Sequence, residues 1–199
     1  MCSSSGRGRD MKHFNIVRWN LNDPMPDTGV LFIRHGPRHG GSFPSHDVQL
    51  TDEGRQKCCE FGKNWDSVSP SRIFSSQVRR CINTGELIAR GAGWNIQVEP
   101  LSLLGNPGPF VTDQKKVGEL VSTEKNWGFL KRHISGYDIP GMRHRDDGCK
   151  LIFTTLAERM NESDLILAIS HDSIIAAILA YGGLNPDPWP QPLCGTHIK

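Results

Sequence analysis

The sequence predicts an α/β layered fold with a mainly parallel central sheet. Apolar, strand-like segments alternate with helical segments through most of the 199 residues, a pattern typical of parallel sheets with helical crossovers. Polar motifs also follow three of the predicted strands directly: RHGPRHG (34–40), SSQVRR (75–80) and SHD (170–172). Because ligands of such sheets bind beyond the carboxyl ends of the strands, these motifs predict a functional site at one edge of the sheet.

The N-terminal third of the chain predicts one strand and one helix. Residues 1–12 are polar and rich in Gly and Ser, and we expect a flexible tail there. TGVLFI (28–33) is apolar and β-branched, which predicts a buried strand. A Gly/Pro/Ser/His-rich stretch over 36–48 predicts a loop. LTDEGRQKCCEFGKNW (50–65) then begins with a Thr and early acids, a helix-start signal.

The next segment predicts a strand, a helix and a further strand. RIFSS (72–76) has the composition of a short strand. VRRCINTGELIARGAG (78–93) carries spaced apolar residues and ends in glycine, as helices commonly do. IQVEPL (96–101) predicts the third strand.

The region from about 105 to 150 has a weaker pattern and predicts a lid or insertion of the single domain, which we expect to span 13–199. It contains helical pieces over 112–122 and 124–133 and is rich in Gly, Pro, Lys and His. Its basic residues alternate with acids, which favours a solvated face over a basic binding patch.

The C-terminal quarter carries the most apolar strand of the sequence. LIFTTLAERMN (151–161) predicts a helix, DLILAIS (164–170) a buried strand, and HDSIIAAILAYGG (171–183) a helix that glycines terminate. The last residues, NPDPWPQPLCGTHIK (185–199), look loop-like. We therefore expect the native chain to continue into a further strand.

Composition excludes several classes of protein. The net charge of +2 is too small to indicate nucleic-acid or membrane binding, so strongly basic features must be local. The six cysteines show no CxxC spacing, and the sequence has neither a secretory signal nor a membrane-spanning apolar run. These observations predict a cytoplasmic protein with free thiols. They leave its oligomeric state open.

The residues after the strands suit phosphoryl chemistry. Arg34, Arg38 and Arg80 could converge on one phosphate, because guanidinium groups offer a planar fork of donors that matches its oxygens. His35 lies among them, and a neutral imidazole is a competent nucleophile towards phosphorus. Neighbouring guanidinium groups should lower its pKa and keep it neutral. His171 ends another apolar strand and could donate to the same oxygens.

Together these motifs resemble the histidine phosphatase superfamily and its phosphoglycerate-mutase-like fold, a three-layer sandwich. The resemblance rests on motifs in the order of the family and spanning about 29–182, namely RHG (34–36) with Arg38, LTDEG (50–54), SSQVRRCINTGE (75–86) and SHD (170–172). RHGxR and SHD are features of its acid-phosphatase branch. The resemblance implies that a phosphomonoester is hydrolysed through a phosphohistidine, without a metal or other cofactor.

The resemblance also implies a role for each pocket residue. His35 would be the nucleophile, and the family spacing to Thr84 favours Arg80 over Arg79 as the arginine of the pocket. The phosphoryl oxygens would be bound by Arg34, Arg80 and His171, and Arg38 would add a further contact to the phosphate.

The proton donor is where the sequence departs from the mutase branch. Gly105 stands where that branch has a glutamate, and Glu99 lies a few residues early. The acid-phosphatase branch uses an aspartate after the second histidine, and Asp172 occupies that position. Asp172 also suits a helix N-cap. If it is the acid, it must carry a proton, and an acidic pH optimum follows.

Three alternatives stay open. His35, His39, His46 and Asp47 could be read as a metal cluster, but their spacing fits no zinc signature and we predict no metal site. The chain could instead be a phosphomutase of the same superfamily, or an inactive module that binds phosphorylated ligands. The substrate is expected to be a small phosphorylated molecule, with a phosphoprotein also open.

Overall fold

The predicted α/β fold with a mainly parallel central sheet is confirmed. The computed structural model describes residues 14–40, 46–124 and 127–199, and within them a single sheet has the order β1-β6-β2-β5-β3-β4. Its strands are β1 (Ile16–Trp19), β2 (Gly29–Arg34), β3 (Arg72–Ser75), β4 (Val98–Pro100), β5 (Leu165–Ser170) and β6 (Gly195–Ile198). Four neighbouring strands, β2, β5, β3 and β4, run parallel to one another, whereas β6 pairs antiparallel with both β1 and β2.

Helices cover both faces of the sheet and complete three layers. They are α1 (Asp52–Lys63), α2 (Arg79–Ala92), α3 (Gln114–Thr123), α4 (Gly128–Ile134), α5 (Arg145–Ala157) and α6 (Asp172–Tyr181), and a 3₁₀ turn spans Ser102–Leu104. Apolar residues of α1 and α2 pack on one face, and those of α5 and α6 pack on the other.

The central strands are apolar throughout because both of their faces are covered. In β2, Val30 and Phe32 pack with the α5–α6 core, whereas Leu31 and Ile33 pack with the α1–α2 core. All six residues of β5 are buried. Burying an apolar side chain of this size contributes about 1.5–3 kcal/mol, so these two strands anchor the domain.

The register of the parallel strands brings the predicted motifs to one edge. Arg34 pairs with Ser170 at the ends of β2 and β5, and Ser75 pairs with Ile169 at the end of β3. The residues that follow, His35, Ser76 and His171, therefore leave the sheet at the same level.

Most element boundaries agree with the sequence within a few residues, but helix α5 begins six residues before the predicted start at 151. His144 caps it, its ring Nδ1 accepting the backbone N–H of Asp146 at 3.2 Å, and two acids occupy the first turn. The helix ends at Ala157 rather than extending to 161. The apolar pattern did not reveal this start because the first turn, RDDG, contains only polar residues and glycine.

The loop-like prediction for the C-terminal residues was wrong. Gly195–Ile198 form β6, which is buried along its length and lies between β1 and β2. Gly195 permits this pairing, since a Cβ there would lie 1.9 Å from the carbonyl oxygen of Phe32. His197 is satisfied by the carbonyl of Thr28, 2.7 Å from its Nε2. Strand β1 was not predicted either.

Some expectations lie outside the described residues. These are the tail at 1–12 and the middle of the 36–48 loop, at 41–45. Among the described residues, Cys58, Cys59, Cys81, Cys149 and Cys194 have free thiols. None of the helices described is long and apolar enough to span a membrane.

Candidate active site

His35 is a buried histidine at the sheet edge. It follows β2 directly and is 3 % exposed. Its Nδ1 lies 2.8 Å from the carbonyl oxygen of Gly36, and a carbonyl can only accept, so Nδ1 carries the proton. The lone pair is therefore on Nε2, which accepts a hydrogen bond from the Nε–H of Arg80 at 3.0 Å. The ring is held as the tautomer that has an unprotonated Nε2 facing the arginine.

The backbone after His35 is fixed by helices α1 and α2. Gly36 donates its N–H to Thr84 Oγ1 at 3.0 Å, and Thr84 in turn donates to the carbonyl of Arg80 at 2.8 Å. A Cβ at position 36 would lie 2.4 Å from the Sγ of Cys58, so only glycine lets this turn approach α1. The RHG sequence is thus a geometric requirement as well as a chemical one.

The surroundings of His35 keep its imidazole neutral. Burial lowers its pKa well below the usual value, and the neighbouring His171, Arg80 and Arg34 lower it further, against the opposing effect of the Gly36 carbonyl. A neutral imidazole keeps the lone pair that nucleophilic attack requires.

Arg80, rather than Arg79, reaches this histidine, as the motif spacing predicted. It lies in the first turn of α2, and its Nη2 is 3.4 Å from Nδ1 of His171 while its Nε contacts His35. Burial lowers the pKa of Arg80, but an arginine stays charged at physiological pH. Arg79 is exposed and points elsewhere.

His171 lies beside His35, with ring centroids 5.5 Å apart. Its Nε2 is 2.9 Å from the hydroxyl oxygen of Ser76, a residue that sequence reasoning did not single out although it stands in the quoted SSQ motif. Burial and then the charge of Arg80 lower the pKa of His171 to about 4, in spite of Asp172, which raises it. Both histidines at the sheet edge are therefore neutral near pH 7.

Arg34 and Asp172 form an ion pair at the rim. Arg34 Nη2 lies 3.0 Å from Asp172 Oδ2, and Nη1 donates to the carbonyl of Pro190 at 2.8 Å. The Nε–H of Arg34 is buried without an acceptor in the part of the chain that the structure describes. Asp172 is the first residue of α6 and not its N-cap, which is His171. The capping interpretation was wrong, and the carboxylate is a third exposed.

Arg38 lies at the mouth of the site, outside the buried cluster. It is exposed, and its Nη1 donates to the carbonyl of His39 at 2.9 Å. An open cleft of about 370 Å³ is lined by Arg34, His35, Gly36, Pro37, Arg38, His39, Gly40 and Pro192. The structure thus brings Arg34, His35, Arg80, His171 and Asp172 together and puts Arg38 at their entrance.

Neither position considered for a mutase-type acid can serve. Glu99 is bound by Arg72, with Nε 2.8 Å from Oε1, and Arg72 begins β3 whereas the site lies past the end of that strand. Gly105 does face the site, but its φ is +140°, and a Cβ there would lie 2.4 Å from Cδ2 of His171. Gly105 is a wall of the site, which the sequence alone did not indicate.

Two further features bear on the chemistry. Cys81 lies with its Sγ 3.7 Å from Nε2 of His171, but burial raises the pKa of its thiol to about 12, so it is not a reactive thiolate. Within the described ranges, no three His, Cys, Asp or Glu side chains are placed to hold a metal ion.

Comparisons with known proteins agree with this arrangement. Residues 30–192 match the family model of the histidine phosphatase superfamily, branch 1; this match does not confirm the acid-phosphatase features. No curated protein is significantly similar in sequence.

Solved structures share the fold at low identity. The mycobacterial glucosyl-3-phosphoglycerate phosphatase is 17 % identical, with 77 % of this chain and 78 % of that chain covered and a TM-score of 0.52. The alpha-ribazole phosphatase of Shigella flexneri is 18 % identical, with 73 % of this chain and 75 % of that chain covered and a TM-score of 0.52. The phosphoglycerate mutase of Bacillus anthracis is 14 % identical, with 77 % of this chain and 80 % of that chain covered and a TM-score of 0.52. Since the family model covers most of the chain and its motif residues converge at one sheet edge, the protein belongs to the histidine phosphatase superfamily.

Proposed function

We propose that this protein is a metal-independent phosphatase that hydrolyses a phosphomonoester through a phosphohistidine on His35. One observation carries the proposal: His35 is buried and neutral, and its hydrogen bond to Gly36 leaves the Nε2 lone pair facing the charged Arg80. That is the state in which an imidazole attacks an anionic phosphoryl group held by cations.

The phosphate would bind where the side chains of the arginines and His171 converge. Arg80 and His171 flank His35 within 3.4 Å of one another, and Arg34 stands at the rim. Arg34 has a buried Nε–H without a protein acceptor among the described residues, which a phosphoryl oxygen could supply after a small adjustment. Arg38, at the entrance, would contact the incoming anion.

The reaction balances with the groups present. The Nε2 lone pair of His35 forms a bond to phosphorus as the bond from phosphorus to the ester oxygen breaks. Protonated Asp172 gives its proton to that leaving oxygen. A water molecule then attacks the phosphohistidine, Asp172 takes a proton from it, and the P–N bond breaks to release inorganic phosphate and restore His35.

Asp172 supports this role by position. Its carboxyl group is 3.0 Å from Arg34 and a third exposed, so it can meet both a bound ester and water. To act as a general acid, Asp172 must carry a proton. A bound phosphate dianion would compete with Asp172 for Arg34, and activity is expected to peak at acidic pH.

The proposal also includes expectations about substrate selection, location and binding partners. Residues 105–150, with α3 and α4, would form the lid that selects a small phosphorylated substrate, and the expected location is the cytoplasm. The protein is not expected to bind nucleic acid or membranes.

Turnover of p-nitrophenyl phosphate, followed in the presence of EDTA, tests the proposal. The wild type should release p-nitrophenol and inorganic phosphate in equal amounts, and the His35→Ala variant should release neither. His39→Ala removes a histidine from the same loop and should keep most of the turnover. Loss of wild-type activity on adding EDTA would contradict metal independence.

The same assay separates the alternatives. A phosphomutase would release little free phosphate, and the absence of a carboxylate at Gly105 argues against that function. A wild-type protein that binds phosphate but is inactive at every pH would instead be a binding module.

A further inference from the structure

A second arginine-rich cleft lies between helices α1 and α2, apart from the active site. Its volume is about 450 Å³, and it is lined by Gln49, Arg55, Arg79, Asn83, Glu86, Leu87 and Arg90. None of the proposed catalytic residues lines it. The function proposed above therefore leaves this cleft unexplained.

The arginines of the cleft have no protein partners. Over 14–40, 46–124 and 127–199, the side chains of Arg55, Arg79 and Arg90 make no ion pair or hydrogen bond, unlike Arg72, which binds Glu99. Glu86 also lines the cleft but pairs with none of them. Three guanidinium groups and one carboxylate leave an excess of two positive charges in the cleft.

Asn83 adds a polar, uncharged side chain to the cleft. It is 7 % exposed, so more than nine-tenths buried, and it lines the cleft. Its side-chain amide makes no hydrogen bond to any residue that the structure describes. Its amide nitrogen and oxygen are not among the fully buried polar atoms that lack a hydrogen bond, so they are open to the cleft, where a ligand can reach them.

The residues of the cleft are held on rigid elements. Arg79, Asn83 and Arg90 are spaced along one face of α2, and Arg55 comes from α1. The two helix backbones touch at glycines: a Cβ at Gly62 would lie 2.1 Å from the carbonyl oxygen of Ile88. Such contact fixes the helices, and with them the backbone positions from which the three arginine side chains project.

We propose that this cleft is a second phosphate-binding site. Arginine forks match phosphate oxygens in pairs, and an amide N–H adds a neutral donor, which together favour a multiply charged oxyanion. Arg79 is the neighbour of the pocket residue Arg80, and the pocket loop is tied to the cleft by the hydrogen bond from His39 N–H to the Gln49 carbonyl at 3.2 Å. The bound group is either a second phosphate of the substrate or a separate phosphate ligand.

Inorganic phosphate titrated into ¹⁵N-labelled protein tests the site directly. The side-chain amide signal of Asn83 should shift saturably in the wild type. The double variant Arg55→Gln/Arg90→Gln should lose most of this response, with a dissociation constant at least about tenfold higher. Lys63→Gln/Lys115→Gln removes the same charge elsewhere and should respond like the wild type. This readout does not depend on turnover, so it stands or falls apart from the proposed function.

Kinetics then identify the source of the phosphate. If Arg55→Gln/Arg90→Gln raises KM for fructose 1,6-bisphosphate but not for fructose 6-phosphate, the second phosphate of the substrate occupies the cleft. If both KM values stay unchanged while the Asn83 response is lost, a separate phosphate ligand occupies it. An Asn83 signal that never shifts, or that shifts equally in the double variant, overturns the proposal.

Discussion

Two adjacent arginines on helix α2 serve two differently built regions. Arg80 points into a buried cluster where His35 and His171 hold it. Arg79 points into the α1–α2 cleft, where, as for Arg55 and Arg90, no described residue pairs with its guanidinium group. The pocket is preorganised by contacts within the protein, whereas the cleft keeps its charges unpaired.

This difference between paired and unpaired arginines indicates a different role for each region. Preorganised charge stabilises a transition state because no reorganisation is needed when charge develops. Unpaired, exposed guanidinium groups are suited to binding an anion from solution, with little influence on a bond-breaking step. Substitutions in the pocket should therefore change kcat, and substitutions in the cleft should change binding.

The largest expected difference between the regions comes from the paired variants Arg80→Ala and Arg79→Ala. Loss of a preorganised charged donor typically costs about 10²-fold to 10³-fold in kcat, and we expect that loss at Arg80. Arg79→Ala should retain at least about tenfold more activity than Arg80→Ala. Steady-state kinetics with p-nitrophenyl phosphate measure both. Equal losses would show that the two regions are not functionally distinct.

The Arg34–Asp172 ion pair is a second difference between the two regions, since the residues that line the cleft form no ion pair with one another. Asp172→Asn should lower kcat by about 10²-fold for an alkyl phosphate, whose leaving group needs a proton. The loss should be smaller for p-nitrophenyl phosphate, whose leaving group is stable as an anion. Kinetics with both substrates measure the difference. Equal losses for the two would contradict Asp172 as the proton donor.

Gly105 tests how closely the pocket is packed. Gly105→Ala combines a φ of +140° with a contact of 2.4 Å to His171, so we expect about 1–3 kcal/mol lower stability and about 10-fold to 100-fold lower kcat. Gly93→Ala is the matched control, with a φ of +72° and no atom within 4 Å of its Cβ. The control should lose stability but keep its kcat, measured by thermal unfolding and turnover.

The last expected effect is a pH dependence of stability that belongs to the pocket and appears only below about pH 6.5. The pKa of His171 is lowered to about 4 in the folded state, so the unfolded chain binds more protons between there and about 6.5. The contribution is fully present above that range and is lost as the pH falls through it, by about 3 kcal/mol for this group.

Urea unfolding across this pH range measures the effect. His171→Gln should reduce the dependence but not abolish it, since the pKa of His35 is also lowered. Arg55→Gln/Arg90→Gln should leave it unchanged because no histidine lines the cleft. An unchanged slope in His171→Gln would contradict the lowered pKa of that histidine.

Most residues of the pocket could be predicted from sequence because they directly follow strands that are easily recognised by their apolar composition. The apolar runs of β2 and β5 are unambiguous, and the register of a parallel sheet places His35 and His171 at one edge. Ser76 and Gly105 were missed because their roles depend on distances to His171 that no local pattern encodes. Strands β1 and β6 were missed because each has only four residues of mixed polarity, which become a strand through pairing, β6 with β2 and β1 with β6.

The α1–α2 cleft could not be predicted for a related reason. Arg55 and Arg90 lie 35 positions apart and look like ordinary surface arginines on amphipathic helices. Only the packing of the two helices puts them beside Asn83. Sequence patterns show which side chains a strand end presents, but not which exposed charges share a cavity.

The most direct test of the central claim is to trap the intermediate. Protein mixed with p-nitrophenyl phosphate and quenched rapidly in alkali, where phosphohistidine survives, can be digested and analysed by mass spectrometry. We predict that one phosphoryl group is found on the peptide containing His35, and that it accumulates in Asp172→Asn when hydrolysis of the intermediate is slowed. Turnover without any phosphorylated His35 peptide, or with the phosphoryl group on another residue, would contradict the mechanism.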